Sequence, residues 1–240
     1  MRIYRISQKL KGNYRATAAA IGLFDGVHLG HQKLLHEAFK LAQESNLDSA
    51  VITFYPDPAE VYRTNGKLPH LNTRQQKYDH FRAMGISRVY EIQFDADIAT
   101  LSPEDFIEYL NRLNVRELVC GFDFSFGFKG RGNSELLVSS DKRRFNVTVI
   151  DSVDHDGLKV SSTRIINALR TGNLDTANAL LGYCYNVTDL DCQVIPKDGI
   201  YQGKINDSED TITVKDSKIF TEESKENNEG NLSIVFEKLI

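Results

Sequence analysis

The sequence has no tryptophan, only two methionines, three cysteines and five prolines, and no strong excess of either charge. Five prolines and sixteen glycines are too few for a fibrous or disordered chain. Cys120, Cys184 and Cys192 form no CxxC pair and leave an odd count, so free thiols in a reducing compartment are expected. Cys120 closes an apolar run, 115–120, and reads as a small buried hydrophobe rather than a nucleophile. No apolar stretch approaches the ~20 residues that a spanning helix needs. The opening MRIYRISQKLKGNYR lacks the continuous apolar core of a secretory signal, and a cytoplasmic protein without membrane attachment is expected. A formal net charge of −4 supplies no field that would recruit nucleic acid.

What is present is an ordinary globular composition, 41% hydrophobic and 26% charged over 240 residues. Residues 16–24 (ATAAAIGLF) form a continuous apolar run, as in a buried parallel strand. A helix is predicted over 31–43, with Leu34, Leu35, Ala38, Phe39 and Ala42 on one face. Strands over 49–54, 88–92, 117–120 and 147–150 then alternate with helices over 74–84, 103–113 (Ser102 as N-cap) and 134–145. That alternation predicts an α/β fold around a parallel sheet. Helices over 161–170 and 174–181 follow, separated by Thr171-Gly172-Asn173. Beyond Gly182 the texture becomes short alternating segments (200–205, 211–214, 232–236) broken by polar stretches, with 222–230 expected as a mobile loop. The organisation read from the sequence is a domain over 1–183 and a small β-rich tail over 184–240, too short to bury a strong core alone.

The chemistry concentrates in 21–32, IGLFDGVHLGHQ, where a strand ends and a helix begins. In parallel α/β sheets ligands bind at the carboxyl ends of strands. Gly22, Gly26 and Gly30 allow tight turning and close backbone approach. The free N–H groups opening the helix favour an anion. His28 and His31 can point the same way, so two imidazoles and a helix N-terminus suit a polyphosphate. A surface accident or a metal half-site is the bland alternative for such a pair. Elsewhere, Thr53 and Phe54 end a strand before Pro56 and Pro58, which are expected to fix an extended loop. Phe122, Phe124, Phe126 and Phe128 alternate, which would set them on one face as core or as a stacking platform. Ser161, Ser162 and Thr163 open a helix beside Lys159 and Arg164, and a plain N-cap accounts for one hydroxyl only.

These segments together resemble a known family. The His-x-Gly-His turn is similar to that of the nucleotidylyltransferases, and IGLFDGVHLGHQ resembles the FAD synthetase (FMN adenylyltransferase) branch. TFYPDP (53–58) resembles that branch's flavin-side segment. GFDFSFG (121–127) with KGRG (129–132) resembles its aromatic loop, KVSST (159–163) its second phosphate element, and LLG (180–182) its domain closure. The resemblance implies a Rossmann-like nucleotidylyltransferase domain that makes FAD and pyrophosphate from FMN and ATP. It assigns His28, His31, Ser162 and Thr163 to catalysis. For ATP it adds Gly22, Phe24, Asp25, Gly26, Gly30, Asp123, Lys159, Ser161 and Arg164. For the flavin it implies Thr53, Phe54, Pro56, Pro58, Asp123, Phe124, Phe126, Phe128 and Arg131. Mg²⁺ would arrive with ATP and bridge its phosphates, with no protein metal site. Asp25 is expected to fix its own turn, and Asp123 to bind a sugar hydroxyl, hold Mg²⁺ through water, or cap a turn.

Two departures stand out. The family pattern SSTxxR has an arginine where this chain has Ile166; Arg164 lies roughly 200° away around the helix. The tail faintly resembles a riboflavin kinase barrel at 196–201 and 234–239 but lacks the kinase's PTAN motif. An enzyme without kinase activity is therefore expected. The alternatives are a weakly active flavin- and ATP-binding regulator, or a transferase for another phosphate. Because every candidate ligand precedes Gly182, the tail is expected to be dispensable for ATP binding.

Overall fold

The structure, a computed structural model, describes residues 1–61, 68–220 and 233–240; the expected loop 222–230 lies outside them. The chain divides into two compact units, one of Met1–Phe24, His31–Gly66 and Tyr78–Ser152, the other of Asp25–Gly30, Lys67–Lys77 and Val153–Ile240.

In chain order the elements down to residue 150 are β1 (Arg2–Ile6), β2 (Thr17–Ile21), α1 (Leu29–Glu44), β3 (Asp48–Tyr55), α2 (Pro58–Val61), α3 (Arg74–Ala83) and β4 (Arg88–Gln93). Then come α4 (Ala96–Ala99), α5 (Pro103–Arg112), β5 (Val115–Gly121), β6 (Ser125–Phe126), β7 (Gly132–Asn133), α6 (Ser134–Ser139) and β8 (Asn146–Ile150). Six strands form one parallel sheet in the order β1-β4-β3-β2-β5-β8. The chain steps outward from β2 through β3 to β4, then returns to the other side for β5 and β8, so the order reverses between β2 and β5. Every residue of β2 is buried, as its apolar run requires of a strand paired on both edges. The core of this unit gathers Ile21, Ile52, Tyr90, Phe106, Leu110, Leu118, Cys120 and Leu137. Cys120 is 0% exposed, and burial pushes its thiol up to about 11.

Several local expectations hold. Ser102 caps α5 through the Asp105 N–H, with Pro103 in the first turn. The helix expected over 134–145 stops at Ser139, where Arg143 takes the carbonyls of Val138 (3.0 Å) and Phe145 (2.8 Å) and leads the chain into β8. Edge strand β1 went unread, because its sequence RIYRI buries only Ile6 and carries no strong pattern.

The remaining elements are β9 (Asp154–His155), β10 (Leu158–Lys159), α7 (Ser162–Thr171), α8 (Leu174–Leu181), β11 (Asn186–Val187), β12 (Gly199–Ile205), β13 (Ser208–Lys215), β14 (Lys218–Phe220) and β15 (Ile234–Leu239). Helices α7 and α8 end at Gly172 and Gly182, both left-handed. The five tail strands pair antiparallel in the order β11-β15-β12-β13-β14. Alternation turns Tyr201, Ile205, Ile212, Val214, Ile234 and Phe236 inward, where they share a core with Ile165, Leu169, Leu180 and Leu181 of α7 and α8. The tail sheet thus finds in two helices the apolar surface it lacks by itself. Gly203 marks its tightest point: a Cβ there would stand 2.0 Å from the Val235 carbonyl oxygen.

Candidate functional site

In the first unit the strand-order reversal puts the carboxyl ends of β2 and β5 side by side, the position where open α/β sheets bind ligands. After β2 the Gly22 N–H donates to the Ile52 carbonyl (3.1 Å). Phe24 follows with φ 55° and no exposure. Its ring meets Phe81 and His31 edge-on at 5.5 and 5.2 Å, so the half-buried His31 imidazole rests on an apolar floor. At the end of β3, Thr53 Oγ1 donates to the Leu23 carbonyl (3.3 Å), and Phe54 packs edge-on against Phe94.

Two readings in this unit need correction. Pro56 and Pro58 do not frame an extended loop: Pro58 opens the short helix α2, capped by Asp57 Oδ1 on the Ala59 N–H (2.8 Å). Nor do the alternating phenylalanines share a face. A turn closed by the Phe124 N–H on the Gly121 carbonyl (3.0 Å) breaks the alternation. Phe126 is then buried (5% exposed) and Phe122 open (45% exposed). Phe124 stacks on Phe126 at 5.6 Å and joins it against the core. Phe128 carries Lys129 and Arg131 over its ring at 5.3 and 5.7 Å. Asp123 stands exposed at the end of β5.

The second unit holds the His28 turn. Its backbone is strained: with Phe24, Gly26 (φ 78°) and Val27 (φ 34°) have positive φ. For a β-branched residue such as Val27 that conformation costs about 1–3 kcal/mol. Ties from distant segments hold it. Asp25 holds its turn through distant partners, accepting from the Leu71 and Asn72 N–H groups (2.9 and 3.3 Å). Ser162 Oγ donates to the Asp25 carbonyl (2.9 Å), and Tyr183 Oη to the Gly26 carbonyl (2.7 Å). Glycine suits position 26, where φ is 78° and a Cβ would meet Leu71 Cδ1 at 2.6 Å and Leu71 Cβ at 3.2 Å. His28 is 7% exposed, and its imidazole lies 3.2 Å from where a Gly30 Cβ would stand. Burial raises the Asp25 carboxyl above its usual value; His70, 3.9 Å away, and Lys77 pull it down.

At α7, Ser161 is the N-cap on the Arg164 N–H (3.3 Å), and Thr163 and Lys159 are exposed. Arg164 Nη1 donates to the carbonyls of His155 (2.9 Å) and Leu158 (2.8 Å), fastening the β9–β10 hairpin. Ile166 packs against the second core. The first turns of α1, α3 and α7 carry no acidic residue, whereas those of α5, α6 and α8 carry Glu104 and Asp105, Glu135, and Asp175. Helix starts kept free of carboxylates favour an incoming anion. Leu71, Asn72 and Tyr183 were not foreseen; bonds across such separations leave no local signature.

A family model described as FAD synthetase matches residues 10–164, from before β2 through the start of α7. The chain is 39% identical over 168 residues to a bifunctional riboflavin kinase/FMN adenylyltransferase of Listeria monocytogenes, covering 69% of this chain and 54% of that protein. To the Bacillus subtilis protein of the same description it is 35% identical, covering 75% and 58%. A second Listeria monocytogenes protein, described as FAD synthetase, is 32% identical over 206 residues, covering 78% and 81%. The chain thus spans little more than half the length of the two bifunctional relatives. Among solved structures, a macrolide-efflux protein from Streptococcus pneumoniae superposes with TM-score 0.82 at 24% identity, over 98% of this chain and 89% of that one, a likeness of fold.

Proposed function

The chain belongs to the FAD synthetase family, and on that premise we propose that it transfers the adenylyl group of ATP to FMN, releasing pyrophosphate. An oxygen of the FMN phosphate bonds to the α-phosphorus of ATP as the bond from that phosphorus to the bridging β-phosphate oxygen breaks. Such a transfer depends on alignment and charge neutralisation more than on covalent help. The observation that carries the reading is the strand-order reversal between β2 and β5, with a glycine-containing motif following each strand.

In this reading His28 and His31 donate to the triphosphate as charge gathers on the leaving group. The carboxylate-free starts of α1 and α7, with Ser162, Thr163 and Lys159, favour the β and γ phosphates. Gly22, Phe24, Asp25, Gly26, Gly30 and Ser161 shape the ATP side. Thr53, Phe54, Pro56, Pro58, Phe124, Phe126, Phe128 and Arg131 serve the flavin, and Asp123 serves either substrate. Mg²⁺ arriving with ATP would supply charge neutralisation at the phosphates. With PTAN missing, the tail of 184–240 does not phosphorylate riboflavin. Small molecules are the partners, the cytoplasm is the place of action, and nucleic acid and membrane play no part; among the described residues no helix is long and apolar enough to cross a membrane.

A second reading, a flavin- and ATP-binding module of low turnover, is favoured by Ile166, which stands where the family pattern has an arginine, and by the bonds of Arg164 Nη1 to the carbonyls of His155 and Leu158. One assay separates the two. Purified protein with ATP, Mg²⁺ and FMN should yield equimolar FAD and pyrophosphate by chromatography, and riboflavin in place of FMN should yield nothing. Affinity for both substrates without pyrophosphate would select the second reading.

A further inference from the structure

The turn that carries His28 is strained and depends on atoms outside itself, and the residues after Gly182, Tyr183 at the domain's end and the tail beyond it, supply them by two routes within one unit. The direct route is Tyr183, whose hydroxyl donates to the Gly26 carbonyl at 2.7 Å and lies 3.3 Å from Asn72 Oδ1. The indirect route runs through residues 70–76, whose Leu71 and Asn72 N–H groups hold the Asp25 carboxylate. Tail residues fasten that segment. Gln193 Nε2 donates to the Leu71 carbonyl (3.0 Å), the Val194 N–H to the His70 carbonyl (2.9 Å), and the His70 N–H to the Cys192 carbonyl (2.8 Å). Gln76 Nε2 in turn reaches Asn186 Oδ1 (2.8 Å). A kinase remnant with no role would have no cause to converge on one turn.

We infer that Tyr183 is a positioning residue for the His28 turn, and that the tail persists in this chain as the brace of that turn. Its bearing on catalysis rests on the adenylyl-transfer reading above. This reverses the expectation that the tail is dispensable for ATP binding: a chain cut after Gly182 loses both routes. Burial raises the Tyr183 phenol well above its usual value, so the hydroxyl remains a donor at every working pH.

The test is Tyr183→Phe in the full chain, which removes one oxygen and keeps the ring. Tyr201→Phe is the matched control, since it removes a buried tyrosine's bond to a carbonyl within the tail itself, that of Lys197. Hydrogen exchange of peptides covering 22–30 should quicken about five- to tenfold in Tyr183→Phe, as loss of one neutral hydrogen bond allows, and stay at the wild-type rate in Tyr201→Phe. FAD formation should show a KM for ATP raised by a similar factor, with KM for FMN unchanged. Wild-type exchange in the turn overturns the inference. So does quickened exchange with unchanged ATP dependence, or an equal ATP effect in both variants. Should the wild-type protein make no FAD, the adenylyl-transfer reading alone fails. Exchange, together with calorimetric affinity for α,β-methylene ATP, then decides the brace by the same criteria.

Discussion

The turn at 22–30 and the loop at 121–132 both follow central strands and both are glycine-containing, yet packed rings weigh more in the second. The turn is fixed by Asp25, Ser162 and Tyr183 through hydrogen bonds to and from backbone groups. The loop has such bonds too, from the Phe128 N–H to the Leu101 carbonyl (2.6 Å) and from Ser134 Oγ to the Phe122 carbonyl (2.9 Å). It adds contact area, with Phe126 buried against Phe106 and Phe124 and with Gly127 pressed to 2.9 Å between its hypothetical Cβ and the Pro103 nitrogen. Hydrogen bonds set positions to within tenths of an ångström, which suits a phosphate that must be aligned. Packed rings leave more tolerance and suit a planar ligand. Losing one atom should therefore matter more in the turn than in the loop.

The sharpest way to break that comparison is His28→Ala. Its initial rate at saturating ATP and FMN should fall on the order of 10²–10³, out of proportion to any drop in melting temperature. Near wild-type turnover with a clearly lowered melting temperature would make His28 a structural residue.

Glycine replacements come next. Gly26→Ala combines a left-handed φ with a clash against Leu71 and should cost about 2–4 kcal/mol in denaturant unfolding. Gly130→Ala in the loop has a similar φ, 64°, but its nearest neighbour is 3.6 Å away, so about 1 kcal/mol is expected. Equal costs would erase the distinction between the two regions.

Asp25 separates hydrogen bonding from charge. Asp25→Ala leaves the Leu71 and Asn72 N–H groups unsatisfied, at about 1–2 kcal/mol. Asp25→Asn keeps an acceptor oxygen and removes a carboxyl whose raised value means that the folded protein binds its proton more tightly than the unfolded chain does. That contribution is complete below the ordinary carboxylate value and is lost as pH rises through the raised one. The melting temperature of Asp25→Asn, relative to wild type, should accordingly climb from acid to neutral pH.

Arg131→Ala is the smallest change. It is exposed over Phe128, and it should shift KM for FMN about two- to fivefold, with stability within about 0.5 kcal/mol.

The sequence made the central strands, the capped α5 and the strand-to-helix position of the His28 turn legible, because each has a local cause. Continuous burial makes β2 apolar, and Ser102-Pro103 is a helix start in any context. What stayed hidden is what arises between distant residues. The Asp25 carboxylate looks like a turn residue until Leu71 is brought to it, and Tyr183 is one more tyrosine after an LLG until Gly26 lies beneath it. The phenylalanine spacing misled because a single hydrogen-bonded turn after β5 outweighs alternation. The bonds from Arg164 Nη1 to the carbonyls of His155 and Leu158 were hidden for the same reason as those of Asp25 and Tyr183.

The burial of Cys120 makes the parallel sheet its own reporter. With its thiol pushed up to about 11 and fully buried, Cys120 carries little thiolate at neutral pH, and an alkylating reagent reaches it only when the sheet around β5 opens. Cys184 is exposed in the same chain. A pulse of iodoacetamide resolved by peptide mass should therefore give a prompt adduct at Cys184 and a late one at Cys120. The delay between them would time the opening of the central sheet without a dye, a tag or a substitution.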